Sequence, residues 1–426
     1  MQRLDADVVV VGAGLVGAAC ALRLADAGHD VLLVDAQAPG RGASFGNAGH
    51  VATEQLFPLA NAEVIRASWR YLLNAQSPLR LRAGYLVPIL PWLARFVWAA
   101  RPTGFARGVA ALVALQQSAR DDLCDLLALA GIRKLMHLDG YLRVWETPAG
   151  EAQAMAQAER LRPYGIATER WSAEAVHAQA PGLGPQVAGG VHYPGTGHVD
   201  DPYAVCTGLV TAVQRLGGRV QRARVASLAQ EGPCAVTLVL EQGPALRCKS
   251  LVLCAGAWSK PLAASLGYHV PLDTERGYHI TVPWPQGEHA ARMPGRIRQP
   301  IASTERSVIM TPMSVGLRMT GTVEFGGLHL PPDERRFGLL KAQLQALMPG
   351  IRTDDATTWM GFRPSLPDHL PVICAAPRHR GVFFAFGHQH LGLTLSGVTA
   401  RLVTDLVQGR TPTVDMAPYH VGRFSC

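Results

Sequence analysis

The stretch VVVVGAGLVGAACALRLADAGHDVLLVD, from Val8 to Asp35, constrains the fold more than any other part of the chain. Its apolar run would pass a hydropathy window. A membrane span, however, needs about 20 apolar residues with basic flanks, and here Asp5 and Asp7 precede the run while Arg23 interrupts it. A signal peptide needs a positive leader and a small-residue cleavage site, and neither is evident. A strand–turn–helix–strand unit fits better. Val8 to Val11 reads as a buried parallel strand. Gly12, Gly14 and Gly17 form G-x-G-x-x-G, Ala18 to Ala27 follows with a helical pattern, Gly28 ends the helix, and Asp35 closes a second strand. Gly12 permits the tight turn, Gly14 lets backbone approach a diphosphate, and Gly17 lets helix and strand pack closely. The helix N-terminus turns free N–H groups and partial positive charge toward phosphate, and Asp35 can accept hydrogen bonds from a ribose diol. Glycines alone would also suit packing; the whole unit specifies a dinucleotide site.

The 426 residues suffice for two domains. The net charge of +8 comes from scattered arginines, with no basic run, so nucleic-acid binding is not expected, although an anionic substrate or a membrane surface would suit that balance. The eight cysteines are dispersed without a C-x-x-C. That argues against a zinc or iron–sulfur site, so no metal is expected, and it points to a reducing, cytoplasmic compartment.

Residues 60–135 are helical in pattern, broken near Pro78, Pro88, Pro91 and Pro102. Within them GYLVPILPWLARFVWAA reads as a buried helix or as a surface-lying segment that meets a membrane or a partner. A helix is expected from Pro202, a strand from Ser250 to Cys254 ending at Ala255-Gly256, and an antiparallel block over residues 268–330. DERRFGLLKAQLQALMPG reads as helix, GVFFAF as strand, GHQHLG as loop, and Leu393 to Val407 as helix. The βα pattern stops after Asp35 and resumes only near residue 199. An NAD fold would complete its sheet sooner, so a cofactor held by distant parts of the chain points to FAD.

Together VVVVGAGLVG…LLVD, LVLCAGAWS, GFRPSLPDHLPVI and GHQHLGLTLSGVTARLV resemble the D-amino-acid oxidase/dehydrogenase family of FAD-dependent oxidoreductases. The likeness is greatest to bacterial D-amino acid dehydrogenases of the D-hydroxyproline dehydrogenase type, and it spans essentially the whole chain. Two positions depart from the family pattern: Cys374 and Gln389 stand where glycine is usual. The resemblance implies an α/β (α+β overall) fold, with a discontinuous Rossmann-like FAD-binding domain and a substrate domain built on a mixed, antiparallel sheet. The expected division is 1–60, 185–262 and 355–426 for FAD, with 61–184 and 263–354 as the substrate-binding and helical region.

The resemblance also implies roles for matching positions. Asp35 would hold the adenosine ribose, and Val225 backbone would contact adenine. Ala43, Ser44, Asn47, Ala48 and Gly49 would line the diphosphate and flavin, while Ala255 and Gly256 close over the dinucleotide. Gly387, Gly392, Leu393 and Thr394 would face the N1–C2 edge of the isoalloxazine, where a helix N-terminus suits developing negative charge.

Oxidising an amine at carbon needs a hydride acceptor, a held carboxylate and a neutral amino group. Arg363 is the leading substrate residue: its planar fork matches a carboxylate, and the family's matching arginine anchors one. The structural alternative is a salt bridge to Asp368. Tyr278 and His279 point to opposite faces of one strand, so one of them is expected at the flavin. His50, His388 and His390 lie in loops expected near the ring, where a histidine can modulate the amine proton.

The expected activity is FAD-dependent dehydrogenation of a D-amino acid or a cyclic amino acid, with electrons passed to a quinone or another acceptor. Peripheral contact with the inner membrane would follow from such an acceptor. The alternatives are an oxygen-using oxidase of glycine, sarcosine or another N-methyl amine, and a flavin-bearing scaffold without a substrate of its own.

Overall fold

A run of valines buried on both faces belongs in the middle of a parallel sheet, and strand Ala6–Val11 lies there. The computed structural model describes residues 4–66, 77, 79–230, 235–284 and 297–424. In the first sheet, Arg219–Arg222, Val31–Asp35, Ala6–Val11 and Leu246–Leu253 run parallel in that order. The far edge of Leu246–Leu253 serves two partners. Leu246, Arg247 and Cys248 pair antiparallel with Val236–Leu240, which continues into Val225–Gln230. Leu251, Val252 and Leu253 pair parallel with Val382–Phe386, which pairs antiparallel with Val372–Ala375.

One face of this sheet is covered by the helices Leu15–Asp26, Pro102–Leu129, Pro202–Arg215 and Ser396–Val407, whose Leu22, Leu123, Leu209 and Val398 share one buried cluster. A second cluster on the opposite face joins Val9, Leu238 and Phe384 to Leu262 of the short helix Ser259–Ser265.

The second sheet runs Thr357–Ser365, Asp273–Pro283, Gly316–Phe325, Val308–Met313, Ile301–Ser303, Tyr141–Trp145, Gly189–Tyr193, Glu169–Ser172. Neighbours in this order are antiparallel except Ile301–Ser303 with Tyr141–Trp145, and a ninth strand, Leu79–Leu81, pairs parallel with the end of Gly316–Phe325. Helix Glu334–Leu347 buries Phe337, Leu340 and Leu344 against one face, together with Tyr278 and Ile280. A small sheet of His50–Val51, Gly197–Val199 and Met136–His137 bridges the regions.

The expected domain edges shift at three places. Gly189–Tyr193 and Thr357–Ser365, placed with the cofactor domain by sequence, hydrogen-bond into the second sheet. Helix Pro102–Leu129, placed with the substrate region, packs into the core of the first sheet. Local sequence reports that a segment is a strand or a helix, but not which sheet receives it. The strand expected at Ser250 to Cys254 begins earlier, at Leu246, and the last helix begins at Ser396 after a run of turns, not at Leu393.

The apolar segment near residue 90 is a helix, Leu86–Ala99, which buries Ile89 and Trp92 and leaves Leu86, Val87, Leu90, Val97 and Trp98 exposed. The buried-helix reading is corrected: most of this face is open. A fully buried side chain of this kind contributes roughly 1.5–3 kcal/mol, which most of this face forgoes. No single helix among the described residues is long and apolar enough to cross a membrane. The broken helix pair Ala83–Ala99 and Pro102–Leu129 passes on length and composition only, with a bend of 86°.

Candidate active site

An elongated cavity of about 400 Å³ crosses the C-terminal ends of the parallel strands. Its walls hold Gly12, Gly14, Asp35, Ala43, Ser44, Asn47, Val225, Ala255, Gly256, Gly387, His388, Gly392 and Leu393. Gly12 has φ +107°, and a Cβ there would lie 2.4 Å from the Cys254 carbonyl oxygen, so only glycine makes this turn. A Cβ on Gly17 would lie 1.8 Å from the Gly12 carbonyl oxygen, so Gly17 serves close packing and lies behind the wall. Ser44 Oγ accepts from Leu15 N–H at 2.9 Å, tying the loop after the second strand to the first helix. Asp35 accepts from Ala13 N–H at 2.6 Å and from Gln37 N–H at 2.8 Å.

At the other end of the cavity, the N–H groups of Gly392, Leu393 and Thr394 have no hydrogen-bond partner among the described residues. They precede helix Ser396–Val407 and so offer donors at its positive end. Thr394 is buried and its hydroxyl accepts from Ala52 N–H at 2.9 Å. Gly49, with φ +71°, and Ala48 continue the loop without lining the cavity. Trp258, Phe362 and Pro364 also line it, and the Trp258 and Phe362 rings meet edge to face at 5.6 Å. The sequence holds no signal for these three beyond the strand-ending CAGAWS and GFRP.

Tyr278 and His279 take opposite faces, as a strand requires. Tyr278 is fully buried, and its hydroxyl accepts from Asp333 N–H at 3.0 Å. It belongs to the core against helix Glu334–Leu347, so its expected catalytic place is corrected. His279 faces the loop at residues 43–49: its Nδ1 lies 3.2 Å from the Gly46 carbonyl oxygen, and its ring stacks on Trp359 at 5.1 Å. Since a carbonyl only accepts, Nδ1 donates. Burial, reinforced by the Arg318 cation, pushes His279 down to about 3, so it stays neutral near neutral pH. Arg318, absent from the sequence expectations, donates to the Phe45 and Asn47 carbonyls at 3.2 and 2.7 Å. Nothing local in the sequence marks it: only strand register sets Arg318 opposite Thr281, two residues along from His279.

The same face carries Glu275 and Gly277, paired across the strands with Arg363 and Gly361, while His279 pairs with Trp359. The two glycines form a trough. A Cβ on Gly277 would lie 2.7 Å from Arg363 Cζ, and one on Gly361 would lie 1.9 Å from the Trp359 ring. Arg363 is only partly exposed, yet its guanidinium has no hydrogen bond or ion pair among the described residues. Asp368, the alternative partner, pairs with Arg423 at 2.7 Å. Burial pulls Arg363 below its ordinary value, against the opposing effect of Glu275. Arg363 itself does not line the dinucleotide cavity, but its neighbours Phe362 and Pro364 do.

His388 lines the cavity and hydrogen-bonds Thr399 Oγ1 at 2.9 Å; burial pushes it down to about 3. His390 is pushed down to about 4 by burial and by Arg363, and it also feels Glu54 and His50. His50 is held at both ring nitrogens, by the Gly197 carbonyl at 3.1 Å and by the buried Glu54 carboxylate at 3.0 Å. Glu54 was not anticipated; only its i,i+4 spacing from His50 hinted at the pair.

The family described as "FAD dependent oxidoreductase" matches residues 7–406. The chain is 32% identical over 426 residues to a D-amino-acid oxidase of Bradyrhizobium diazoefficiens, covering 98% of each protein. It is 28% identical to a D-amino acid dehydrogenase of Rhizobium rhizogenes, over 98% of this chain and 99% of that one. In three dimensions it is similar to a glycine oxidase from Geobacillus kaustophilus, with a TM-score of 0.72 at 21% identity, covering 98% of both chains.

Proposed function

The chain belongs to the FAD dependent oxidoreductase family, and from that premise we propose that it dehydrogenates a D-amino acid or a cyclic amino acid of the D-proline or hydroxyproline type. The C–N bond becomes an imine, which hydrolyses to a keto acid or stays cyclic. The cavity fits the family cofactor: only glycine makes the turn at Gly12, and three amides wait at residues 392–394. Asp35 and Val225 would hold the adenosine end, Gly14 and Ser44 the diphosphate, and Gly387, Gly392, Leu393 and Thr394 the ring. FAD supplies the hydride acceptor.

The observation that carries the substrate class is Arg363, a partly buried guanidinium that makes no hydrogen bond or ion pair among the described residues, laid across Gly277 beside the cavity wall. A planar fork with its hydrogen bonds unspent suits an amino-acid carboxylate. His390, neutral near neutral pH, would handle the amine proton; His50, with both ring nitrogens engaged, would instead brace the loop beside it, as His279 and Arg318 hold residues 43–49. Electrons would pass on to a quinone or an electron-transfer partner; the open apolar face of Leu86–Ala99 supports a peripheral membrane contact.

The test is anaerobic mixing of the holoprotein with D- and L-amino acids, D-proline, hydroxyproline, glycine and sarcosine. Bleaching by D- or cyclic amino acids is expected. Bleaching by glycine or sarcosine alone favours the N-methyl amine oxidase, and no bleaching by any amino acid favours the scaffold. Re-oxidation by dye or quinone but not by air separates dehydrogenase from oxidase.

A further inference from the structure

Arg363 has a buried counter-charge that the reaction itself does not require. Glu275 sits directly opposite it on the neighbouring strand, on the same face of the sheet, and is 4% exposed. Directly paired residues hold their Cβ atoms about 4.5–5.5 Å apart. No hydrogen bond or ion pair joins the two side chains among the described residues; the nearest cationic candidate to Glu275 is His369, whose Nε2 lies 3.9 Å from Oε1. His369 is buried and held well below its ordinary value by that burial and by His390, so it adds no positive charge. The remaining ionisable groups around Glu275 are Asp273, which accepts from Tyr85 OH at 3.0 Å, and His390 beyond His369. Glu275 therefore has one effective counter-charge, Arg363.

A substrate carboxylate docked on that guanidinium would set two anions against one cation in a water-poor trough. Like charges in a shared site cannot both stay ionised cheaply, and the group with an alternative takes a proton. The substrate carboxylate gains the bidentate fork, whereas Glu275 has only the Ser365 hydroxyl beside it, a contact that a protonated carboxyl can also make. Resting on the Arg363 anchor proposed above, we propose that this site exchanges a proton for a carboxylate: Glu275 balances Arg363 when the site is free, and takes one proton from solvent when a carboxylate ligand binds. Burial pushes the Glu275 carboxyl upward and Arg363 opposes this without cancelling it, which brings its titration toward the working range. The sign follows: the protonated form prevails at lower pH, so carboxylate binding tightens as pH falls. Glu275 is a positioning residue that sets how strongly Arg363 holds an anion, and when.

The probe is propionate, a carboxylate without an amine to oxidise, titrated into the FAD-loaded protein. Affinity is followed by the flavin absorbance change, and proton uptake by calorimetry in buffers of different ionisation enthalpy. Wild type should lose affinity by up to about tenfold per pH unit above the Glu275 titration, and should take up nearly one proton per propionate. Glu275→Gln should bind with little pH dependence and no uptake. If that variant does not fold, His390→Asn and His369→Asn are measured instead: wild-type uptake retained in both supports Glu275, and uptake lost in either overturns the proposal. Uptake that persists in Glu275→Gln assigns the proton to His390 or His369 and overturns the proposal. So does pH-independent wild-type binding that still needs Arg363, and in that case the anchor stands. Failure of propionate to bind, or equal binding to Arg363→Ala, removes the anchor and this inference with it.

Discussion

On the first sheet, the groups that face the cavity are mostly backbone: glycines that admit close approach, free amides before the last helix, and a serine hydroxyl accepting at the start of the first. On the second sheet, the working face is all side chain, with Arg363, Glu275, His279 and Trp359 set in a trough that two glycines leave empty. The backbone site tolerates almost no added atom, because its neighbours are main chain. The side-chain site can give at the end of a flexible guanidinium, but its function depends on which charges it holds. The two regions should therefore fail differently when altered, one by losing the cofactor and the other by losing the substrate.

The largest effect is expected from Gly17→Ala, whose Cβ would meet main chain at 1.8 Å. Forcing the first helix off its strand costs about 3 kcal/mol or more, and the protein should purify with little bound flavin by its absorbance ratio. If flavin content and thermal stability stay at wild-type levels, the backbone site is more pliable than the contrast claims.

Arg363→Ala comes next. Removing one partner of a charge-assisted pair costs about 2–5 kcal/mol, so kcat/KM should fall roughly 30-fold to several thousand-fold while flavin content holds. Arg363→Lys should recover part of the loss, because an ammonium lacks the fork. A mutant that sheds FAD yet turns over normally per flavin would make Arg363 structural.

Gly277→Ala tests the trough. The added methyl meets Arg363 Cζ at 2.7 Å, and the guanidinium must shift, so KM should rise by about tenfold or less, corresponding to about 1.4 kcal/mol. A fall in kcat at unchanged KM would place the trough's role in chemistry and not in binding.

The smallest effect belongs to Tyr278→Phe. It removes a hydroxyl that accepts from Asp333 N–H, at a cost of about 1 kcal/mol, read as a small drop in Tm with kcat/KM unchanged. A large kinetic effect would return Tyr278 to the active site and erase the distinction between the two faces of its strand.

Sequence reading follows the same divide. The opening unit, the strand ending at Ala255-Gly256 and the turn before the last helix were legible because a backbone site demands glycines at set spacings, and those spacings stand in the sequence. Arg363 was legible through the family motif around it. Tyr278 and His279 were known to oppose each other, but the phase of their strand depends on which face meets the loop at residues 43–49, and nothing local to RGYHI states that. Glu275 was invisible for the same reason: its partner is 88 positions away and is brought opposite only by strand register. The domain edges near residues 185 and 355 were misplaced because sheet membership is decided by long-range pairing. Residues 67–76, within the helical pattern read from sequence, lie outside the described set.

The edge that Leu246–Leu253 divides between two partners has a consequence for how the protein comes into being. Val382–Phe386 must travel back over more than a hundred residues to pair with Leu251–Leu253, and the turn that follows it forms one end of the cofactor cavity. During synthesis, the opening βαβ unit emerges early and the cavity stays incomplete until this late strand is out. Contacts of such separation slow folding, because chain closure must precede the contacts that reward it. Until then the apolar stretch Leu251–Leu253 has an unpaired edge, a template for association with another nascent chain. A ribosome stalled before residue 382 would hold a chain with a finished nucleotide turn, an open sheet and no closed place for the flavin.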